Sequence, residues 1–154
     1  MLLGFVGLGA VVETAYLPAI RNLFDESPRC SGFDVQPVKQ PEGVTRCASL
    51  AELLSQPLDT LFITTASLNH LEVLEQAIAS PVSRIVVEKP IVATLPQIEK
   101  LKSLLELPGV ASRVLALCWL DFPIIFGQSF PLQVASVSIM GREKESWAVI
   151  RWNS

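Results

Sequence analysis

Histidine and cysteine are scarce in this 154-residue sequence. His70 is the single histidine, so a mechanism that needs two histidines is excluded within one chain. The three cysteines, Cys30, Cys47 and Cys118, are odd in number, far apart and without a Cys-x-x-Cys pair. This spacing indicates neither a disulfide framework nor a zinc site, and we expect reduced thiols in a cytoplasmic protein that holds no metal.

Charged residues and long apolar runs are also few. Charged residues make up 18% of the chain, the net charge is −3, and the scattered lysines and arginines form no basic footprint for nucleic acid. No apolar run approaches the roughly 20 residues that a membrane span needs. The apolar amino terminus lacks the basic leader and cleavage site of a signal peptide. We therefore expect no nucleic-acid partner and no membrane insertion.

The hydrophobic content is high for a soluble monomer. Half of the residues are hydrophobic, and the mean hydropathy is +0.44. Excess apolar surface of this kind predicts a cover that this chain does not contain, either a subunit partner or a further domain.

Apolar, strand-like runs alternate with helical patterns through residues 1–123. The predicted strands are Leu2–Val6, Phe33–Val38, Leu58–Thr64, Arg84–Val87 and Val114–Trp119. The predicted helices are 12–24, one beginning at Ser49, 68–80 and one beginning at Thr94. The second and fourth helices carry capping boxes, with Glu52 and Gln97 as the third residues. This alternation implies right-handed βαβ units, so we predict an α/β fold: a Rossmann-like, doubly wound parallel sheet.

Two glycines follow the first strand, in Gly7-Leu8-Gly9. Glycines at this place let the backbone approach a pyrophosphate, and the amino terminus of the next helix attracts negative charge. Val12 stands where the dinucleotide fingerprint normally has glycine or alanine. A glycine turn between strand and helix is common without any ligand, but the βαβ context favours NAD or NADP.

The end of the second strand decides between the two cofactors. An acidic residue is expected there to bind the adenosine ribose. With the strand at Phe33–Val38 this position falls at Lys39 or Gln40, and neither is acidic. Lys39 facing a 2′-phosphate would favour NADP, while a solvated loop would select neither cofactor, and both alternatives stay open.

Glu88-Lys89-Pro90 follows the apolar strand Arg84–Val87. Open α/β sheets bind ligands at the carboxyl ends of their strands, so the Lys89 ammonium is placed to assist proton transfer at a substrate oxygen. The alternative is a surface lysine loosely paired with Glu88, a weak and common arrangement. We predict Lys89 as the catalytic residue.

Thr65 directly follows the predicted strand 58–64, and His70 lies in the first turn of the next predicted helix, 68–80. The hydroxyls of this segment would line the nicotinamide ribose or cap the helix. A lone histidine near a helix start is more often a packing or capping residue than a catalyst. Both residues are therefore candidates for cofactor binding with a structural alternative.

The character of the sequence changes after Pro123. Val134–Met140 and Trp147–Trp152 resemble two strands joined by a hairpin turn at residues 141–144. A lone hairpin is only marginally stable in water. We expect residues 124–154 to form a linker and a hairpin, a truncated or reduced second domain that pairs with a second copy of the chain.

Taken together, these motifs resemble the glucose–fructose oxidoreductase/inositol dehydrogenase family (Gfo/Idh/MocA) over residues 1–123, its amino-terminal cofactor domain. The motifs that carry the resemblance are Gly7-Leu8-Gly9, Leu17-Pro18-Ala19, Thr65 with His70, and Glu88-Lys89-Pro90. The resemblance implies that Gly7 and Gly9 cradle the pyrophosphate and that Thr65 and His70 flank the nicotinamide. It also implies that Glu88 and Lys89 lie beside the nicotinamide and the substrate.

The sequence departs from that family at several points. Ala66 stands where a proline is usual, and Leu120-Asp121 where an arginine is frequent. The family's large antiparallel substrate domain would be represented only by the hairpin, and no histidine follows His70. Two hypotheses result: an NAD(P)-dependent oxidoreductase acting on a polyol, sugar or related hydroxy compound, or a non-catalytic nucleotide-binding or oligomerising module.

Overall fold

A computed structural model describes residues 1–116, 133–142 and 145–153. The predicted strand at residues 114–119 extends beyond this part, and Leu120-Asp121 and Phe122-Pro123 lie outside the described residues. No helix in the described part of the chain is both long and apolar enough to cross a bilayer.

Six parallel strands form the main sheet, in the order β3-β2-β1-β4-β5-β6. Their bounds are β1 Leu2–Val6, β2 Arg29–Phe33, β3 Val44–Arg46, β4 Thr60–Ile63, β5 Arg84–Val87 and β6 Val114–Ala116. The chain runs outward from β1 to β3 and then crosses to β4 on the other side of β1. This order is that of a doubly wound Rossmann sheet, which confirms the predicted fold class.

Helices connect these strands everywhere except between β2 and β3, where residues 34–43 form a loop. The helices are a π-helix at Val12–Tyr16 that continues into α1 Leu17–Leu23, α2 Leu50–Leu54, a 3₁₀ turn at Ser67–Asn69 that continues into α3 His70–Ile78, and α4 Leu95–Leu105. The capping box of Thr94 and Gln97 is present at α4 as predicted. At α2 the Ser49 side chain accepts the Glu52 N–H, but the Glu52 carboxylate accepts from the Ala48 N–H instead of closing the box on Ser49.

A second, two-stranded sheet comprises β7 Gln133–Arg142 and β8 Glu145–Asn153, which pair antiparallel. The predicted strands of the hairpin were shorter by a few residues at their ends. The register shifts between Val134 and Ser136, as a β-bulge does when one strand carries an extra residue.

The sheet buries an apolar layer on each face. Val6, Ile63 and Val87 belong to the layer that packs against α3 and α4. Phe5, Phe62 and Tyr16 belong to the layer beneath the first helix. Alternate residues of β1 and β4 therefore enter opposite layers, as the two-residue period of a strand requires.

The second strand was predicted at the wrong place. It lies at Arg29–Phe33, in parallel register with β1 from Leu2 to Val6, and not at residues 33–38. Its centre is Ser31-Gly32, which carries little of the apolar pattern by which a strand is recognised. A Cβ on Gly32 would lie 2.6 Å from Leu8 Cδ2. Close packing against the glycine turn therefore leaves no room for a side chain at this position. The three-residue strand β3 was not predicted.

Arg113, the residue before β6, hydrogen-bonds the end of α3 and the segment that follows it. Its guanidinium donates to the carbonyl oxygens of Ile78, Ser80 and Val82 at 2.7–3.1 Å. We expect Arg113→Ala to lower the free energy of unfolding by about 2 kcal/mol, because charged hydrogen bonds are lost and half-buried carbonyls lose their donor.

Chemical denaturation would measure this loss. Arg84→Ala is the matched control, since Arg84 is an exposed arginine at the start of the neighbouring strand β5. Equal losses in the two variants would show that the three carbonyl contacts of Arg113 contribute no stability of their own.

Candidate functional site

Three parallel strands end side by side at the point where the chain changes direction across the sheet. Val6, Ile63 and Val87 are the last residues of β1, β4 and β5, and they are in register with one another. The residues that follow them are therefore brought to one edge. In open α/β sheets this carboxyl edge, at the reversal of strand order, is where ligands bind.

Gly7 is required by the geometry of this edge. Its φ is +91°, and a Cβ would lie 2.8 Å from backbone atoms of Thr64 and Thr65. Its N–H donates to Phe33 O at 2.8 Å. The first glycine thus lets the backbone after β1 turn tightly against the backbone after β4.

Gly9 faces the open side of the turn, and folding does not require a glycine there. It is exposed, and among the described residues no heavy atom lies within 4 Å of a Cβ placed there. The open side of the turn therefore has room that a side chain would occupy. A phosphate group fits such a space beside the start of a helix.

Val12 does not obstruct the turn. Its side chain is completely buried and belongs to the core layer that contains Phe5 and Tyr16. The side chain at the third fingerprint position therefore lies in the core and not on the open side of the turn. The core thus accommodates the Val12 side chain, although the fingerprint has glycine or alanine at this position.

An acidic residue stands directly after β2, at Asp34. Its Oδ2 accepts the Leu8 N–H at 2.7 Å, and its Oδ1 accepts the Gln36 N–H at 2.8 Å. The expectation that this position falls at Lys39 or Gln40 is wrong, because β2 ends at Phe33. An acidic residue is therefore present at the end of the second strand after all, and it is hydrogen-bonded to the glycine turn.

Thr64 and Thr65 follow β4. The buried Thr64 hydroxyl lies 3.1 Å from Val6 O and 2.7 Å from Gly7 O, so it ties β4 to the glycine turn. Thr65 is half-buried, and its hydroxyl makes only a 3.4 Å contact with Ala66 O. Thr64 is a structural hydroxyl, while Thr65 is the one of the pair that remains a candidate for ligand contact.

His70 is buried, with 1% of its surface exposed. Its Nδ1 lies 2.8 Å from Pro90 O and its Nε2 lies 2.9 Å from Thr65 O. The ring therefore bridges the segments that follow β4 and β5. Both ring nitrogens thus face backbone carbonyl oxygens, and contact of His70 with a cofactor stays a prediction.

Glu88 and Lys89 follow β5, and the Lys89–Pro90 peptide bond is cis. The Glu88 N–H donates to Ile63 O at 3.0 Å, which extends the β4–β5 pairing by one residue. Glu88 Oε1 accepts from the Tyr16 hydroxyl at 2.6 Å, and Oε2 accepts from the Lys89 N–H at 3.0 Å. Lys89 is exposed at the edge, so its ammonium can reach a ligand there.

The described residues fit a dinucleotide. The turn offers space at Gly9 and backbone donors at a helix start, Asp34 offers carboxylate oxygens for hydroxyl groups, and Lys89 offers a cation at the opposite end of the edge. A glycine turn before a helix and an acidic residue after the second strand are the groups by which Rossmann domains hold pyrophosphate and ribose.

Comparison with protein families identifies the class. Residues 1–115 match the Gfo/Idh/MocA family, described as an oxidoreductase family with an NAD-binding Rossmann fold. The chain therefore belongs to this family and carries its NAD(P)-binding domain. The resemblance inferred from the motifs is confirmed. A comparison with curated protein sequences gives no significant match.

Solved structures share the fold. An oxidoreductase from Bacillus cereus is 24% identical, with a TM-score of 0.60 over 75% of this chain and 34% of that one. Biliverdin reductase from Synechocystis, solved with biliverdin and NADP⁺, is 20% identical with a TM-score of 0.59, covering 75% and 37%. The scyllo-inositol dehydrogenase of Lactobacillus casei is 19% identical with a TM-score of 0.58, covering 75% and 36%. This chain thus spans little more than a third of the length of these structures.

Two residues of this edge were absent from the sequence prediction. Asp34 was missed because the second strand was placed too late in the chain. Its distance of about 25 residues from the glycines is the signal that could have identified it. Tyr16 was missed because nothing local distinguishes a tyrosine that packs in the core from one that also bonds a carboxylate.

Proposed function

We propose that this chain is the cofactor domain of an NAD(P)-dependent oxidoreductase that acts on a polyol, sugar or related hydroxy compound. The observation that carries the proposal is the arrangement of the Gly9 turn, Asp34 and Lys89 along one edge of the sheet. Family membership supports the cofactor, and the exposed lysine at the end of β5 supports the reaction.

Each residue has a distinct task in this proposal. The turn at Gly9 receives the pyrophosphate, Asp34 accepts hydrogen bonds from ribose hydroxyls, and Thr65 and Glu88 flank the nicotinamide end. Lys89 donates a hydrogen bond to the reacting oxygen of the substrate and assists its loss or gain of a proton. When bound, NAD(P) supplies the hydride exchange.

Titration of the purified chain with NADH and with NADPH tests the cofactor part of the proposal. Saturable micromolar binding, followed by fluorescence, is the expected result. Oxidation assays over a panel of polyols and sugars test the reaction. Binding without turnover on every compound would restrict the function to nucleotide binding, and absence of binding to either cofactor would overturn the proposal.

Asp34 favours NAD over NADP in this proposal, since a carboxylate that accepts from a 2′-hydroxyl also repels a 2′-phosphate. We expect NADH to bind more tightly than NADPH. Asp34→Asn keeps the shape of the side chain but removes its charge, and should reduce that preference on the order of tenfold.

Competition titrations with the two reduced cofactors measure this preference. Asp25→Asn is the control, because Asp25 is an exposed aspartate before β2. Tighter binding of NADPH by the unmodified chain would contradict the role assigned to Asp34 and would favour Lys39 as a 2′-phosphate ligand.

A second function is favoured by the hairpin. Strands β7 and β8, ten and nine residues long, form a sheet separate from the six-stranded one, and an isolated hairpin is marginally stable in water. Pairing of this sheet with a second copy would make the chain an oligomerising module of the family. Sedimentation as a monomer at micromolar concentration would count against this pairing.

A reducing, cytoplasmic location accompanies both functions. Its support is that Cys30 and Cys47 are buried free thiols, which is usual where disulfides do not form. Fractionation of cells that produce the protein would test the location directly.

A further inference from the structure

The single tyrosine of the sequence is inside the protein. Tyr16 is 1% exposed and packs against two aromatic rings, Phe5 at 6.2 Å and Phe62 at 5.1 Å between ring centroids. Both contacts are edge-on, and the two phenylalanines stack on each other at 5.0 Å. This packing limits the ring to one orientation, so the direction of its hydroxyl is determined by the core.

The hydroxyl bonds a residue of the candidate active site. It donates to Glu88 Oε1 at 2.6 Å, and the two residues are 72 positions apart in the chain. The contact joins the helix that follows the glycine turn to the end of β5. It is therefore a direct connection between the pyrophosphate side of the edge and the lysine side.

The helix brings Tyr16 to this place through a local irregularity. Val12–Tyr16 is a π-helix, and the Leu17 N–H bonds Val12 O, five residues back. Pro18 follows and has no N–H to donate, so the regular α-helical ladder is interrupted at this point. Single π turns within helices are often found at functional sites.

The Glu88 carboxylate is held at both oxygens. Oε1 accepts from Tyr16 and Oε2 accepts from the Lys89 N–H, while the Glu88 N–H is bonded to Ile63 O. The backbone at Lys89 is thus oriented by a carboxylate that is itself oriented by the tyrosine. Burial, together with the hydrogen bond and charge of Glu88, raises the pKa of Tyr16 far above its ordinary value, so the hydroxyl remains a donor.

We propose that Tyr16 is a positioning residue, which fixes the Glu88 carboxylate and through it the backbone of Lys89. The inference rests on the proposed function, because it names what holds the lysine beside the cofactor. Loss of the hydroxyl would leave the aromatic packing in place and release the carboxylate. The lysine backbone would then sample more than one orientation.

Amide hydrogen exchange tests the positioning without any cofactor. Tyr16→Phe should accelerate exchange of the Lys89 N–H on the order of tenfold, since its acceptor is no longer held. Cys30→Ala is the control, because it removes a buried thiol from the same core layer, in β2. Unchanged exchange at Lys89 in Tyr16→Phe, or equal acceleration in Cys30→Ala, would overturn the proposal.

Absorbance of tyrosinate gives a second readout, since Tyr16 is the only tyrosine. An ordinary tyrosine ionises at about pH 10. Because the pKa is raised in the folded state, the native chain should show no tyrosinate at that pH, and stability should decline as pH rises further and the unfolded chain ionises first. Glu88→Gln should lower the pH at which tyrosinate appears. Ordinary ionisation with the native circular dichroism retained would overturn the proposal.

Binding of NADH distinguishes the proposed cofactor function from the positioning role of Tyr16. Tyr16→Phe should weaken binding severalfold, because the Glu88 carboxylate assigned to the nicotinamide end loses its hydrogen bond from Tyr16, while Cys30→Ala should leave binding unchanged. If the unmodified chain binds no NADH, the proposed function fails, and the exchange and absorbance results still decide whether Tyr16 orients Lys89. If it binds and Tyr16→Phe binds equally well with unchanged exchange, only the positioning role fails.

Discussion

Replacing Gly9 by alanine is expected to weaken NAD(P) binding at least about tenfold, roughly 1.4 kcal/mol, with little effect on folding. The added methyl group would enter the open space on the outer side of the turn, where no described atom lies within 4 Å. Because it meets none of the described residues there, we expect the free energy of unfolding to change by no more than about 0.5 kcal/mol. Cofactor titration and denaturation of the same preparation measure the two effects.

Gly7→Ala is the contrasting variant in the same turn. At φ +91° an L-residue is strained, and its Cβ would lie 2.8 Å from the backbone of Thr64 and Thr65. We expect a loss of about 3 kcal/mol in folding stability from strain and overlap combined. If both substitutions affected only folding, the open space at Gly9 would not be a phosphate site.

Replacing Lys89 by methionine is expected to lower the turnover rate by a factor on the order of 10²–10⁴. This is the usual contribution of a positioned acid or base. Methionine retains much of the length of the side chain but can neither donate a hydrogen bond nor carry a charge. Lys89 is exposed, so folding should be preserved. The cofactor should bind nearly as well as before, because the lysine is assigned to the reacting oxygen.

Initial rates on the best polyol or sugar of the panel measure this effect. Lys102→Met is the control, since Lys102 is an exposed lysine on α4 paired with Glu99 at 2.8 Å. Unchanged rates in Lys89→Met would remove the lysine from the mechanism. Equal losses in both variants would point to a general effect of lost surface charge.

The fold could be predicted because its signals are local. Leu2–Val6 and Ile85–Val87 are short, continuous apolar runs, typical of strands covered on both faces. The strands Leu2–Val6 and Arg84–Val87 were both predicted with the bounds observed. The α4 start was predicted from Thr94 and Gln97, three residues apart, which meet at a helix amino terminus. Such patterns depend on spacings of a few residues and can be identified in the sequence alone.

The second strand could not be found in this way. Ser31 and Gly32 at its centre have low strand propensity, and their place in the sheet depends on pairing with β1 and on Leu8 packing against the glycine. An error of a few residues there displaced the predicted ribose position from Asp34 to Lys39 or Gln40. The error in one strand thus concealed an acidic residue of the candidate site.

The sequence by itself determined the alternation of strands and helices, the glycine turn and the Glu88-Lys89-Pro90 segment. The tertiary structure alone decided that Asp34 bonds the glycine turn and that Tyr16 holds Glu88. The residues of these two contacts are 26 and 72 positions apart in the chain. Propensity and periodicity act over one or two turns of chain, whereas these contacts exist only because parallel strands end at a common edge.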